Sequence, residues 1–173
     1  GYYHRTGQLC AVHPVSRLDR DTFGIVLLAK NAHVHTLLQQ ETVRKTYHAL
    51  VFGAPERNSG IIDAPIARLP LPSLLRQVHP DGKPSVTEYT VLEKGERVSK
   101  LALTPITGRT HQLRVHCAHM GFPILGDPQY GSEESQLYSG KMGLKHQQLC
   151  AKRLEFRHPI TGEPMRLDSG LDV

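Results

Sequence analysis

The stretch Ser16-Arg17-Leu18-Asp19-Arg20-Asp21-Thr22-Phe23-Gly24 carries four charged side chains and runs directly into Ile25-Val26-Leu27-Leu28-Ala29, the longest clean apolar run of the chain. Five apolar residues are strand length, too short for a helix. Charges packed this closely resist burial unless each is paired. The polar loop is therefore expected at the mouth of a buried strand over 25–29, where a rigid scaffold holds functional side chains. A solvated turn with local Asp–Arg pairs fits the same residues, and the stretch by itself leaves both readings open.

Working outward, residues 1–13 read as irregular. Asn31 is placed to cap a helix over about 32–44, with Val34, Leu37 and Leu38 on one face and Glu41 weakening the third turn. Residues 46–52 alternate as a strand, with Tyr47, Ala49 and Val51 on one side, and Gly53-Ala54-Pro55 ends it. Residues 54–85 are rich in Pro and Gly and contain Asp81-Gly82, a hairpin-turn signal. Strands are expected at about 86–92 and 100–104. Thr110 is a candidate N-cap for a short helix to Met120, closed by Gly121, with Leu113, Cys117 and Met120 on one face and Arg114 pointing elsewhere. Gly126-Asp127-Pro128 reads as a turn, 148–156 as a strand, and Thr161-Gly162 as a hairpin tip leading into 165–167. Many strands and few short helices predict an α+β fold around a mixed, mostly antiparallel sheet, in one domain spanning 1–173.

Composition sets the class. Of 173 residues, 39% are hydrophobic and 21% charged, which suits one globular domain and excludes a wholly disordered chain. No apolar run approaches the ~18 residues of a membrane helix, and no signal-peptide pattern is visible. Cys10, Cys117 and Cys150 are odd in number and widely spaced, which predicts no disulfide framework and a reducing, cytoplasmic setting. The net charge is +5. Residues 1–86 hold 10 Lys/Arg against 6 Asp/Glu, a net of +4, and 87–173 hold 11 against 10, a net of +1. An early excess of base suits a face that meets a polyanion, although mild basicity is common among soluble proteins. The chain opens Gly1-Tyr2-Tyr3 without Met, so a fragment lacking an upstream segment is expected.

Two further clusters carry chemistry. Thr107-Gly108-Arg109-Thr110-His111-Gln112-Leu113-Arg114-Val115-His116 gathers arginines and histidines at a helix start, where anions are favoured. A metal site from His111, His116, Cys117 and His119 is the rival, but His111 and His116 are five apart and share no helical face. In Arg44-Lys45-Thr46-Tyr47 the tyrosine near a strand start is, alone, an ordinary half-buried strand residue. Asp19-Arg20-Asp21-Thr22 also invites comparison with the Asp-x-Asp-x-Thr loop of phosphatases that use an aspartate nucleophile and magnesium. Here Thr comes one position early, and the apolar strand follows the loop instead of preceding it.

Taken together, the three segments resemble the RluA-type family of RNA pseudouridine synthases over most of the chain. Arg17-Leu18-Asp19-Arg20-Asp21-Thr22-x-Gly24 is similar to the family's Arg-Leu-Asp-x-x-Thr-Ser-Gly. Lys45-Thr46-Tyr47-His48-Ala49 with Gly53 is similar to Lys-x-Tyr-x-Ala…Gly. Gly108–His116, continuing to Gly126-Asp127-Pro128-x-Tyr130-Gly131, resembles the third motif. Phe23 stands where Ser is usual, and Ser16 where His or Asn often precedes the Arg. The family's upstream strand region, and the S4-type RNA-binding domain that many members carry, are not in this stretch.

The resemblance implies isomerisation of a specific uridine in ribosomal or transfer RNA, without cofactor or metal, by a protein whose default state is monomeric. It implies Asp19 as the essential carboxylate, acting at ribose C1′ or C2′, with Arg114 as its ion-pair partner. It implies Tyr47 stacked on the flipped uracil and assisting loss of the C5 proton, Leu113 as the apolar wall, and Arg17 either in the gap left by the base or on its phosphate. Arg20, Arg44, Lys45, Arg68, Arg76, Lys83 and Arg109 are candidate phosphate contacts, each equally at home on a solvated surface. A non-catalytic RNA-binding protein on the same fold is the principal alternative.

Overall fold

The computed structural model describes residues 11–173. The irregular reading of residues 1–10, and Cys10 with it, lies outside the described residues. Among the described residues eleven strands and three helices follow one another: β1 (His13–Pro14), β2 (Phe23–Gly24), β3 (Leu28–Ala29), α1 (Ala32–Gln40), β4 (Arg44–Phe52), β5 (Ser59–Asp63), β6 (Ile66–Arg68), β7 (Arg76–Val78), β8 (Val86–Lys94), β9 (Val98–Pro105), α2 (Gln112–His119), α3 (Glu133–Lys141), β10 (Leu149–Arg157) and β11 (Pro164–Asp168). The α+β expectation holds. The main sheet runs β11-β10-β4-β9-β8-β5, all antiparallel, while β2 pairs β10 in parallel beyond the end of β11.

The alternation of β4 is what builds the core. Ala49 and Val51 are fully buried and join Leu101, Leu103, Leu113, Cys117 and Leu149 in one apolar cluster, with Tyr47 packed at its margin. Helix α2 lies against β7, β8 and β9, so its inner face closes the cluster. Asn31 caps α1 as expected, its Oδ1 accepting from the Val34 amide at 2.8 Å. The helix stops at Gln40 instead of about 44 because Arg44 already pairs with Glu155 across β4 and β10.

Four expectations are corrected. The apolar run 25–29 is not one buried strand: Val26 is 41% and Leu28 50% exposed. At Gly24 the backbone takes φ +116°, and a Cβ there would collide with the Ala151 carbonyl; the pairing with β10 covers Phe23 and Gly24 and ends at the Ile25 amide, which donates to the Ala151 carbonyl. The run then clasps the preceding loop: the Leu27 carbonyl accepts from the Val15 amide and the Leu27 amide donates to Ser16 Oγ. Second, Thr110 is not the cap of α2. His111 sits at the helix start with φ 57° and gives no side-chain cap. Gln112 reaches back instead, its Oε1 accepting from the Arg109 amide at 3.0 Å. Third, Met120 is 46% exposed and falls outside the buried face of α2. Fourth, Asp81-Gly82 is a turn, but it folds Lys83 back onto Ile66 and joins no pair of long strands.

Candidate active site

The charged loop is suspended from elements remote in sequence. Ser16 is buried and held by Leu27, as above. The Thr22 amide donates to the Asp19 carbonyl, and Asp21 adopts φ 66°, which gives a tight turn. Gln147, 2% exposed, donates from Nε2 to the Arg20 carbonyl and to Thr22 Oγ1. Gly24 packs against Ala151 next to this contact. The loop thereby brings Asp19 within electrostatic reach of Tyr47 on β4.

There it meets a cavity of about 440 Å³ lined by Ser16, Arg17, Leu18, Asp19 and Thr22 from the loop. Val43, Lys45 and Tyr47 come from β4 and its approach, Pro105–Thr110 with Gln112 and Leu113 from β9 and α2, and Leu149 from β10. This is the size of a small-molecule pocket. Tyr47 lies opposite Leu103 of β9 and Ala151 of β10, which fixes its backbone from both sides. Burial, and then the Asp19 carboxylate, push its phenol up to about 12, so it is a neutral hydroxyl across the physiological range. Burial also draws the Lys45 ammonium below its ordinary value.

A saturated amide holds the far wall. Gln112, 4% exposed, accepts at Oε1 from Thr107 Oγ1 (2.8 Å) and the Arg109 amide, and donates from Nε2 to the Val86 carbonyl (2.9 Å) and Thr87 Oγ1 (3.0 Å). Thr87 in turn donates to His116 Nδ1 at 2.9 Å, because His116 Nε2 must be the protonated nitrogen that donates to the Ala64 carbonyl. His116 is fully buried and burial lowers its pKa, so it is a neutral strut. His111 faces a different partner, the Tyr130 hydroxyl at 2.7 Å. The two histidines diverge, and among the described residues no three His, Cys, Asp or Glu side chains converge on a possible metal.

The structure brings Arg17, Asp19, Lys45, Tyr47, Arg109 and Leu113 around one cavity. It does not bring in three others. Arg20 extends into solvent, 95% exposed, and Arg44 pairs with Glu88 at 3.0 Å on the sheet surface. The expected ion pair of Arg114 with Asp19 is corrected: Arg114 is gripped by Asp127, Nε to Oδ2 at 2.7 Å and Nη2 to Oδ1 at 2.8 Å, and also donates to Gln129 Oε1. Its guanidinium lies 4.8 Å from the Tyr130 ring centroid. Both bonds to Asp127 hold the guanidinium toward the turn after the core, and Arg114 is not among the residues that line the cavity. Arg114 acts on Asp19 through space: the two attract, and Asp19 adds to the raised pKa of the guanidinium. Gln112 stood within the second charged cluster but drew no assignment. Gln147 offered no local signal, because its role depends on a contact 127 positions away.

Comparison with known proteins places these features. Residues 2–119 match the family described as RNA pseudouridylate synthase. The chain is 39% identical over 162 residues to a ribosomal large subunit pseudouridine synthase C of Vibrio parahaemolyticus, covering 91% of this chain and 51% of that one. It is 45% identical over 156 residues to an uncharacterised RNA pseudouridine synthase of Zymomonas mobilis, covering 86% and 70% respectively. Among solved structures, human RNA pseudouridylate synthase domain containing 1 superposes with a TM-score of 0.80 at 28% identity, over 98% of this chain and 71% of that one. The chain thus spans about half the length of the Vibrio relative.

Proposed function

Because the chain belongs to the RNA pseudouridylate synthase family, we propose that it isomerises a uridine of RNA to pseudouridine in the cavity between the Asp19 loop and α2. The observation that carries this reading is the juxtaposition of a carboxylate, Asp19, and a stacking phenol, Tyr47, in one cavity walled by Leu113 and edged by Arg17, Lys45 and Arg109. The names of the Vibrio relatives support large-subunit ribosomal RNA as the substrate, and a cytoplasmic monomer is the working form. The chain as a whole is taken as one catalytic unit.

In this reading the target uridine leaves its stack, at a cost of a few kcal/mol, and its base enters between Tyr47 and Leu113. Asp19 acts at the ribose, as a nucleophile at C1′ or a base at C2′. The N1–C1′ bond breaks, the uracil turns, and C5 bonds to C1′. C5 then loses its proton and N1 gains one, so the reaction is an isomerisation with no net redox change. Tyr47, a neutral phenol, stacks on the ring and can take the C5 proton only by releasing its own in concert. Arg17 fills the space the base has vacated. Arg114, fixed by Asp127, supplies a constant positive field behind Asp19 and does not contact it. No metal or cofactor enters this scheme.

The test is tritium release from [5-³H]uridine-labelled RNA taken from cells lacking the gene. Asp19→Asn is expected to abolish release while RNA binding persists. Turnover by this variant overturns the assignment.

A further inference from the structure

A second cleft, of about 450 Å³, lies beside the first and shares Gly108, Arg109 and Thr110 with it. Its other wall is the β6–β7 hairpin, and four cations line it: Arg68, Arg76, Lys83 and Arg109, against one carboxylate, Asp81. Resting on the pseudouridine synthase reading above, we propose that this cleft seats the phosphodiester backbone of the RNA next to the extruded uridine, with Arg109 as the post shared by both cavities.

The local chemistry is that of a site waiting for an anion. Arg68 and Arg76 are direct cross-strand partners in the β6–β7 pair. Like charges directly opposite each other destabilise a two-stranded sheet, and among the described residues no carboxylate pairs with either of these. Among the described residues their side-chain acceptors are backbone carbonyls: Ser73 for Arg68 at 3.4 Å, and Leu74 and Leu75 for Arg76 at 2.7 and 3.2 Å. Arg109 likewise donates to the Pro84 carbonyl at 3.1 Å. A carbonyl fixes a guanidinium's direction without cancelling its charge, so the cations are aimed and their field is left for a ligand. Asp81 is 92% exposed and its nearest basic partner is His79 at 3.7 Å.

The backbone is shaped to bring Lys83 in. A Cβ on Gly82 would lie 2.6 Å from the Ile66 carbonyl carbon and 2.7 Å from the Ile66 nitrogen. Only glycine lets the turn lie flat against β6, and that approach makes the Ile66–Lys83 bridge. The hairpin is also joined to the catalytic wall, because the Tyr130 hydroxyl accepts from the Arg76 amide at 3.0 Å and meets His111. The two cavities therefore have a fixed spacing. A continuous strand that places a base in the first must carry its neighbouring phosphates past the second.

The experiment measures binding of a fluorescein-labelled, single-stranded oligouridylate by anisotropy across a series of KCl concentrations, in parallel with tritium release. The full-length protein is compared with the double variant Arg68→Gln/Lys83→Gln, with the charge-keeping Arg68→Lys/Lys83→Arg, and with Asp19→Asn. Each phosphate contact on a single strand contributes about 0.7 to the log–log salt slope. The double variant is expected to bind roughly tenfold or more weakly at low salt, with a slope about 1.4 units shallower. The charge-keeping variant is expected to hold the wild-type slope, and Asp19→Asn to keep both affinity and slope. A wild-type slope in the double variant, with wild-type tritium release intact, overturns the cleft and leaves the catalytic reading standing. A shallower slope without any wild-type tritium release supports the cleft as a polyanion site and assigns the failure to the catalytic reading.

Discussion

Arg114 and Asp127 form a two-point ion pair in which the side chains are 4% and 1% exposed. Asp127 Oδ1 also accepts the Gln129 and Tyr130 amides, at 2.9 and 3.1 Å. One carboxylate thus orders the turn after the core and holds the helix-borne cation behind Asp19. Removing one member of such a pair leaves the other charge buried and unmatched, which costs about 3–5 kcal/mol. Asp127→Ala should lower unfolding stability by that order in a urea titration. The combination Arg114→Met/Asp127→Leu should recover much of it while tritium release stays low. Equal stability of Asp127→Ala and wild type would show that the pair contributes nothing net.

Tyr47→Phe keeps the ring and removes the hydroxyl. RNA affinity should stay within a factor of a few, while tritium release should fall by about 10²–10⁴, the range of general acid–base assistance. Turnover equal to wild type would reduce Tyr47 to a stacking platform.

Acid sensitivity should arise partly at His48, the residue after Tyr47 in β4. Asp172 accepts from His48 Nδ1 at 2.8 Å and Lys100 Nζ at 2.9 Å. Burial alone would raise its pKa, but these hydrogen bonds outweigh it and bring the carboxyl down to about 2. A carboxyl depressed in the folded state stabilises above its ordinary value near 3.8 and loses that contribution as pH falls toward 2. The side chain is 40% exposed, so solvent screening keeps the effect under about 1 kcal/mol. Asp172→Asn should lower the melting temperature slightly at pH 7 and flatten its decline between pH 4 and 2. A melting curve with unaltered pH dependence would remove Asp172 from the acid response.

Gly24→Ala should cost about 2 kcal/mol or more and displace the Asp19 loop, since both the left-handed φ and the Ala151 carbonyl oppose the methyl. At Gly121, φ is +84° with nothing within 4 Å of an added Cβ. Gly121→Ala should therefore cost only ~1–2 kcal/mol and spare tritium release. Thermal melts and turnover of the two variants separate crowding from backbone strain.

The legible parts of the molecule are those whose chemistry is local. The alternation of 46–52, the Asn31 cap and the strands over 86–92, 100–104 and 148–156 all answer to nearest-neighbour periodicity. The cavity members followed from motif resemblance. Helix α3 escaped notice because its buried face is Ser135 and Ser139 while Leu137 is 62% exposed, the reverse of an amphipathic pattern. Ser139 is inside because its hydroxyl accepts the Gly126 amide, a contact no periodicity encodes. Strands β5 to β7 lie within a Pro- and Gly-rich stretch: β5 forms only through β8, and β6 and β7 are three residues each and pair with one another, too short to show a period. The direct contact expected between Arg114 and Asp19 does not form because Asp127 takes both Nε and Nη2 of the guanidinium, a partner that no periodicity encodes.

The hydrogen bonds of Gln147 to residues 20 and 22 join segments 127 and 125 positions apart behind the loop that lines the cavity. The pocket has no local precursor, since loop, strand and helix meet only after the central sheet has closed between them. Such long-range closure is late and cooperative. The proposed turnover should accordingly vanish in a single transition with tertiary structure as urea is raised, leaving no partly active intermediate between the folded and the unfolded chain.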